Sequence, residues 1–267
     1  MILLIDIGNT NIVIGAYEGC NKIKSWRLET RQTKTSDEYG TQIESLLSHD
    51  NIVDIDKLKA VVIGSVVPTL QQTFKDLTEK YLKKEAVIIG ENTKTGMPIR
   101  YENPREVGAD RIANSVALIE HYKLPAILID MGTAITFDVV SEDGAYLGGA
   151  IAPGMGIASE ALFERTSKLP RVEYELPKSP IGKTTVDAIK SGMVYGYIGL
   201  VDNIIEEISK TLGYNTKDMS IIATGGYSKL ISDNSKYIEK VDGDITLEGM
   251  RIIYEKTIES NLKNEKI

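Results

Sequence analysis

Apolar residues in this chain fall into short runs closed by turn residues, alternating with longer stretches in which they recur every three or four positions. The first run, Ile2-Leu3-Leu4-Ile5, ends on Asp6 and resumes as Ile12-Val13-Ile14 beyond Gly8-Asn9-Thr10-Asn11. That pattern predicts a hairpin with a carboxylate and backbone N–H groups at its tip. Residues 25–30 alternate as a further strand. Ser36-Asp37-Glu38 reads as the N-cap and first turn of a helix whose inner face carries Tyr39, Ile43, Leu46 and Leu47. Residues 60–68 form a buried strand ending in a turn, 69–84 an amphipathic helix through Leu70, Phe74, Leu77 and Tyr81, and 86–89 the next strand. Strands joined in this way by helices indicate the α/β class.

The pattern then returns. Ile129-Asp130-Met131-Gly132-Thr133-Ala134 repeats the apolar run, the Asp and the Gly turn, and 135–140 supplies the second arm of a hairpin. Asp6 and Asp130 stand 124 positions apart, a little under half of 267, so the chain reads as two related halves. Residues 145–151 continue the second sheet, 155–165 and 184–212 are helical, 219–223 is a strand stopping at Thr224-Gly225-Gly226, and 246–262 closes the second half as a helix. The 184–212 helix is long enough to bridge a cleft between the halves or to pack against a partner subunit. The tail 263–267 is expected to fray.

Composition narrows the function classes. At 42% hydrophobic and 26% charged the chain is of ordinary globular make-up. A formal charge of −7 argues against gripping nucleic-acid phosphates. Cys20 is the only cysteine, which excludes an internal disulfide and a thiolate metal cluster. No basic leader precedes Ile2 and Asp6 interrupts the first apolar run, so neither a signal peptide nor a membrane span is expected, and the cytoplasm is the default location.

Several stretches carry candidate chemistry. A single Asp-x-Gly is a common surface turn; two at matching places after buried strands point to paired phosphate- and cation-binding tips. The stretch from Glu106 to Asn114 opens a helix, where Asp110 is either a first-turn acid favoured by the dipole or a base toward a substrate alcohol, with Arg111 a solvated neighbour or a counter-charge. Residues 148–156 are too Gly-rich for a plain connection and suit close approach to a nucleotide or metal. Their likeness to G-x-G-x-x-G is not a dinucleotide site, because the unit is not completed by an acidic residue after a following strand. Gly182-Lys183-Thr184 ends like a P-loop, yet Pro177 holds the place of its first glycine, so Thr184 or Thr185 reads first as a helix N-cap. Gly225-Gly226 suits either a tight turn or a flat adenine against bare backbone. His49 and His121 are the only histidines, each near a helix end, and build neither a zinc site nor a hydrolytic triad.

Asp6-Ile7-Gly8-Asn9-Thr10, Asp130-Met131-Gly132-Thr133-Ala134 and Thr224-Gly225-Gly226 resemble the two phosphate motifs and the adenosine motif of the acetate kinase, sugar kinase, heat-shock chaperone and actin superfamily. Glu102-Asn103-Pro104, Val107 to Arg111, Gly148-Gly149 with Ala152-Pro153-Gly154, and Gly182-Lys183-Thr184-Thr185 narrow the likeness to the type III pantothenate kinases of bacteria. The resemblance implies two duplicated ribonuclease H-like (actin-like ATPase) domains, 1–122 and 123–267, each a mixed sheet flanked by helices, facing a central cleft. It implies transfer of the γ-phosphoryl group of ATP to the primary hydroxyl of pantothenate, the first step toward coenzyme A. In that reading Asp110 is the base. Tyr101, Gly108, Ala109, Asp110, Arg111 and Thr185 line the substrate. Asp6, Ile7, Gly8, Asn9, Thr10, Asn11, Ile12, Val13 and Thr133 hold ATP. Asp6 faces Mg²⁺, and Asp130 belongs to a monovalent cation site for potassium or ammonium. The resemblance further implies a homodimer with active sites at the subunit contact. Two alternatives stand beside it: a non-catalytic nucleotide-binding regulatory homologue, and a kinase of the same fold acting on another small alcohol.

Overall fold

The first strand, β1 (Ile2–Ile7), is buried along nearly its whole length because it has a strand on either edge and helices over its faces. On one side β2 (Asn11–Glu18) pairs with it antiparallel, and β3 (Asn21–Glu29) follows antiparallel on β2. On the other side β4 (Ala60–Ser65) pairs with β1 parallel and β5 (Ala86–Ile88) continues parallel, giving the order β3-β2-β1-β4-β5. Parallel neighbours need crossovers. They are supplied by α1 (Ser36–His49) and α2 (Pro68–Leu82). Pro68 stands in the first turn of α2, where its missing N–H costs nothing. The computed structural model describes residues 1–49, 54–90 and 93–264, so residues 265–267 of the tail expected to fray lie outside the described residues.

Tyr39 and Ile43 of α1 and Leu70, Phe74 and Leu77 of α2 are fully buried against Leu3, Ile5 and Ile7, the alternate positions of β1. Each such side chain removed from water contributes about 1.5–3 kcal/mol. At Phe74, in ring contact with Tyr39 at 5.0 Å, truncation to Ala costs roughly 3–5 kcal/mol.

After α2 the chain reaches α3 (Ala109–His121), preceded by a 3-10 turn over Pro104–Glu106 that Asn103 caps by accepting from the Arg105 N–H. The second sheet repeats the first. β6 (Ala126–Met131) pairs antiparallel with β7 (Ala134–Val140), and β8 (Tyr146–Pro153) follows antiparallel on β7. Two helices follow, α4 (Met155–Glu164) and α5 (Thr185–Leu212). β9 (Ser220–Gly225) then pairs parallel with β6, and the two-residue β10 (Lys240–Val241) lies beyond it, after the short α6 (Ser228–Ser232). The order β10-β9-β6-β7-β8 is that of the first sheet element for element. Val194, Tyr197, Val201 and Ile205 of α5 pack on Ile127, Ile129 and Met131 of β6. Two duplicated ribonuclease H-like sheets flanked by helices are thus present, as the repeat of Asp-x-Gly indicates.

The closing helix, α7 (Ile245–Asn264), departs from the expected division at residue 122. The chain resolves into one unit of Met1–Met97, Asn103–Ala117 and Ile245–Ile267, and another of Pro98–Glu102 and Leu118–Asp244. α7 packs on β1 and β4 and crosses α3. At the crossing a Cβ on Gly249 would stand 1.8 Å from the Ala113 carbonyl oxygen, and the Thr246 hydroxyl donates to Asn114 Oδ1 at 2.7 Å. An amphipathic stripe announces that a helix covers a sheet, not which sheet; the repeat of a strand pattern assigned α7 to the nearer one. Smaller shifts have local causes. β3 begins at Asn21 rather than 25 because Asn21, Lys22 and Lys24 pair with the end of β2, and α3 begins at Ala109 rather than in the preceding 3-10 turn.

Candidate active site

In the first unit, Asp6 sits at the carboxyl end of β1, opposite Val13 on β2 and Gly64 on β4. The hairpin tip that follows is held on several sides. The Gly8 N–H donates to the Asn11 carbonyl at 3.0 Å, the Thr30 hydroxyl and N–H donate to the carbonyls of Gly8 and Thr10 at 2.6 and 3.0 Å, and the Val66 N–H donates to Ile7 O at 3.1 Å. Asn9 and Thr10 are exposed at the tip. Ile7 and Ile12 are fully buried and paired with each other across the ladder, so their side chains belong to the core.

The start of α3 lies against the same end of the sheet. Gly64, the partner of Asp6, has the Ala109 Cβ as a neighbour at 3.9 Å from where its own Cβ would stand. Asp110 follows directly. Its Oδ1 accepts from the Arg111 N–H at 2.8 Å, and a Cβ on Gly108 would meet that same oxygen at 2.5 Å, so a side chain there would push the Asp110 carboxyl from its place. Burial pushes the Asp110 carboxyl above its ordinary value, against the opposing pull of the Arg111 N–H and guanidinium charge. Arg111 is itself only 8% exposed. A carboxylate made more basic by burial is better able to take a proton from an alcohol than an ordinary one.

In the second unit Asp130 occupies the place of Asp6, paired with Thr136 on β7 and Thr224 on β9. Gly132 and Thr133 form the tip, and the Gly154 N–H donates to the Thr133 carbonyl at 3.1 Å. A Cβ on Gly154 would lie 2.4 Å from both the Gly132 and Thr133 carbonyl oxygens. The Gly-rich stretch was expected to admit a nucleotide or metal; at Gly154 the group that comes close is the chain's own tip. Gly225 turns with φ +93° so close to Met131 that a Cβ would reach its main chain at 2.5 Å, whereas Gly226 has open space where a side chain would be. The pair is therefore a tight turn at its first member and bare backbone at its second. Thr184 is the N-cap of α5, accepting from the Asp187 N–H at 3.1 Å and donating to its carboxylate at 2.8 Å, which leaves Thr185 as the first residue of the helix, exposed. Tyr101 is 37% exposed and lies against Gly148.

Mg²⁺ keeps waters and takes substrate phosphates with one or two carboxylates rather than a protein cage, and the Asp6 carboxyl is of the right chemistry for it. Among the described residues no three His, Cys, Asp or Glu side chains gather as such a cage. Likewise, among the described residues no helix is long and apolar enough to cross a membrane. The first unit thus assembles Asp6, the hairpin tip, Asp110 and Arg111 at one sheet end, and the second assembles Asp130, Thr133 and Gly226. The bracing by Gly154 and by α7 was not read from the sequence, since a glycine signals close approach without saying what approaches.

The family model described as type III pantothenate kinase matches residues 2–207. A type III pantothenate kinase from Myxococcus xanthus is 49% identical over 254 residues, covering 95% of this chain and 98% of the relative. Among solved structures, a Campylobacter jejuni protein assigned to the Baf family of transcriptional activators aligns with TM-score 0.61 at 19% identity, over 98% of this chain and 99% of that one. The activator of 2-hydroxyisocaproyl-CoA dehydratase from Clostridium difficile, solved with bound ADPNP, aligns with TM-score 0.54 at 10% identity, over 99% and 97%. Those two likenesses speak to the fold alone. The residue-level motifs, the duplicated sheets and the length of the matched sequence agree, and the chain belongs to the type III pantothenate kinase family.

Proposed function

We propose that this protein transfers the γ-phosphoryl group of ATP to the primary hydroxyl of pantothenate, giving 4′-phosphopantothenate and ADP, the first step of coenzyme A biosynthesis. The observation that carries the reading is Asp110, a mostly buried carboxylate of raised basicity in the same unit, and at the same sheet end, as the Asp6–Asn11 hairpin. Asp110 accepts the proton of the attacking hydroxyl. Phosphoryl transfer has a loose transition state, so late removal of that proton suffices once the hydroxyl is held in line. Arg111 offers a fixed charge for the pantothenate carboxylate, with Gly108, Ala109, Tyr101 and Thr185 around the rest of the acceptor.

Asp6 to Val13, with the exposed Asn9 and Thr10 at the tip, are assigned to the ATP phosphates, as is Thr133 of the second unit. Mg²⁺ beside Asp6 would neutralise charge building on the leaving phosphates. Asp130 is assigned a monovalent cation, potassium or ammonium. Because the reaction consumes ATP, the cytoplasm is its expected compartment.

A homodimer is part of the proposal. Gly192, Gly196 and Gly199 fall on one exposed face of α5 with open space beside each. Each glycine costs an isolated helix about 1 kcal/mol relative to alanine, a cost offset if a second helix packs closely there. Ile157, Phe163, Ile181 and Tyr195 are exposed in the same unit. The test is ADP release with pantothenate against a panel of sugars, with and without potassium. Turnover with pantothenate alone, raised by potassium, is expected; turnover with a sugar instead, or with no acceptor at all, overturns the assignment.

A further inference from the structure

Tyr101 rests on a seat built by residues with no role in the chemistry above. Its segment is tied to β8 by two main-chain bonds, Tyr146 N–H to Pro98 O at 2.9 Å and Arg100 N–H to Tyr146 O at 2.8 Å. Arg100 pairs with the carboxylate of Asp143 in the turn before the strand. The register of β7 and β8 slips between Val139 and Val140, so that Val139 faces Gly148 and Val140 faces Tyr146. A bulge of this kind re-aims the strand locally. Gly148 follows with φ +104°, and the Tyr101 ring lies against its bare Cα: a Cβ there would stand 3.0 and 3.1 Å from Cε2 and Cδ2.

The second wall is the Tyr146 ring, fully buried, 6.2 Å from the Tyr101 ring centre at an interplanar angle of 47°. Its hydroxyl donates to Oδ1 of Asp138 at 3.1 Å, and Asp138 is itself fully buried in β7. A buried carboxylate accepting from a buried phenol holds that ring in one orientation. We propose that Gly148 and Tyr146, the latter anchored on Asp138, are positioning residues for acceptor binding: they set where the Tyr101 ring stands. This rests on the reading that Tyr101 lines the pantothenate site. Any side chain at position 148 would lift the ring, and loss of the Tyr146 hydroxyl would free the wall beside it.

The test is a double-mutant cycle of Gly148→Ala and Tyr101→Ala, with Tyr146→Phe as an independent variant that puts no strain on the backbone. KM for pantothenate, KM for ATP, kcat and melting temperature are measured for each. Gly148→Ala and Tyr146→Phe are expected to raise the pantothenate KM several-fold to about tenfold, with KM for ATP unchanged. In the Tyr101→Ala background neither should raise it further. Equal effects with and without the Tyr101 ring would overturn the seat, since strain alone would then explain them; so would an unchanged pantothenate KM in Tyr146→Phe. An unchanged pantothenate KM in Tyr101→Ala removes Tyr101 from the acceptor site and the seat's function with it, a result distinct from failure of the seat while Tyr101 still matters.

Discussion

The crossing of α7 over α3 makes a sharp prediction for Gly249→Ala. The new Cβ would stand 1.8 Å from the Ala113 carbonyl oxygen and 2.4 Å from its carbon, both main-chain atoms that no rotamer change can move. A tolerable carbon–oxygen contact is about 3.3 Å, so the helices must part by roughly 1.5 Å. Ala113 lies one turn beyond Asp110 on the same helix, and Asp110 moves with it. A misplacement of ~1 Å in a reacting group can cost about a hundredfold in rate. We therefore expect kcat to fall by about 30-fold or more. KM for ATP should change little, because the Gly8–Asn11 tip is held by Thr30 and Val66 rather than by α3. Overpacking of this kind costs about 1–3 kcal/mol, a drop of roughly 3–10 °C in melting temperature for a chain of this size. Gly243→Ala, a glycine with open space around it, serves as the control and should alter neither quantity. Steady-state kinetics and thermal melts on the two purified variants decide the matter. A folded Gly249→Ala enzyme with kcat within about threefold of the parent would refute the idea that α7 sets the position of the base.

Other expectations concern the site itself. Asp110→Asn should lower turnover by about 100-fold or more in the ADP-release assay while leaving nucleotide binding by calorimetry intact; unchanged turnover removes Asp110 from the mechanism. Because burial raises the Asp110 carboxyl above its ordinary 3.8, the ionised form opposes folding at neutral pH and this cost disappears as pH falls through the raised pKa. Asp110→Asn should therefore melt higher than the parent at pH 7, with the gap closing toward acid, and a lower melting point at pH 7 would contradict the desolvation account. The acid limb of kcat/KM in the parent should likewise lie above the ordinary aspartate range. Asp6→Asn should raise the Mg²⁺ concentration needed for half-maximal rate about tenfold, read by titrating the metal at fixed ATP; no change would detach Asp6 from the metal. Gly196→Leu should shift the sedimentation profile from dimer to monomer, and an undisturbed dimer would place the contact elsewhere on the protein.

Much of this fold was legible from spacing. The two Asp-x-Gly hairpins, the parallel strands at 60 and 220 and the long α5 all follow from runs of apolar residues and the turns that end them. Asp110 was visible as an acid at a helix start, where the local residues favour a first-turn acid and only the family resemblance makes it a base, because burial is a tertiary property that no first turn reveals. What escaped was long-range contact. Gly249, Gly154 and Gly148 each admit another part of the chain, 136, 21 and 47 residues away at Ala113, Thr133 and Tyr101. Tyr146 looked like one apolar position in a strand, and its bond to Asp138 depends on the bulge between them.

The return of α7 to the first sheet also bears on how the protein is made. On the ribosome, β1 to β5 emerge well before the helix that packs on β1 and β4, so during synthesis that sheet waits with one side bare. Its apolar surface is then open to chaperones or to neighbouring nascent chains until α7 has left the ribosome. A premature stop upstream of Ile245 would consequently damage the N-terminal portion, far from the lesion in sequence, and such a truncated product is expected to aggregate rather than persist as a stable fragment.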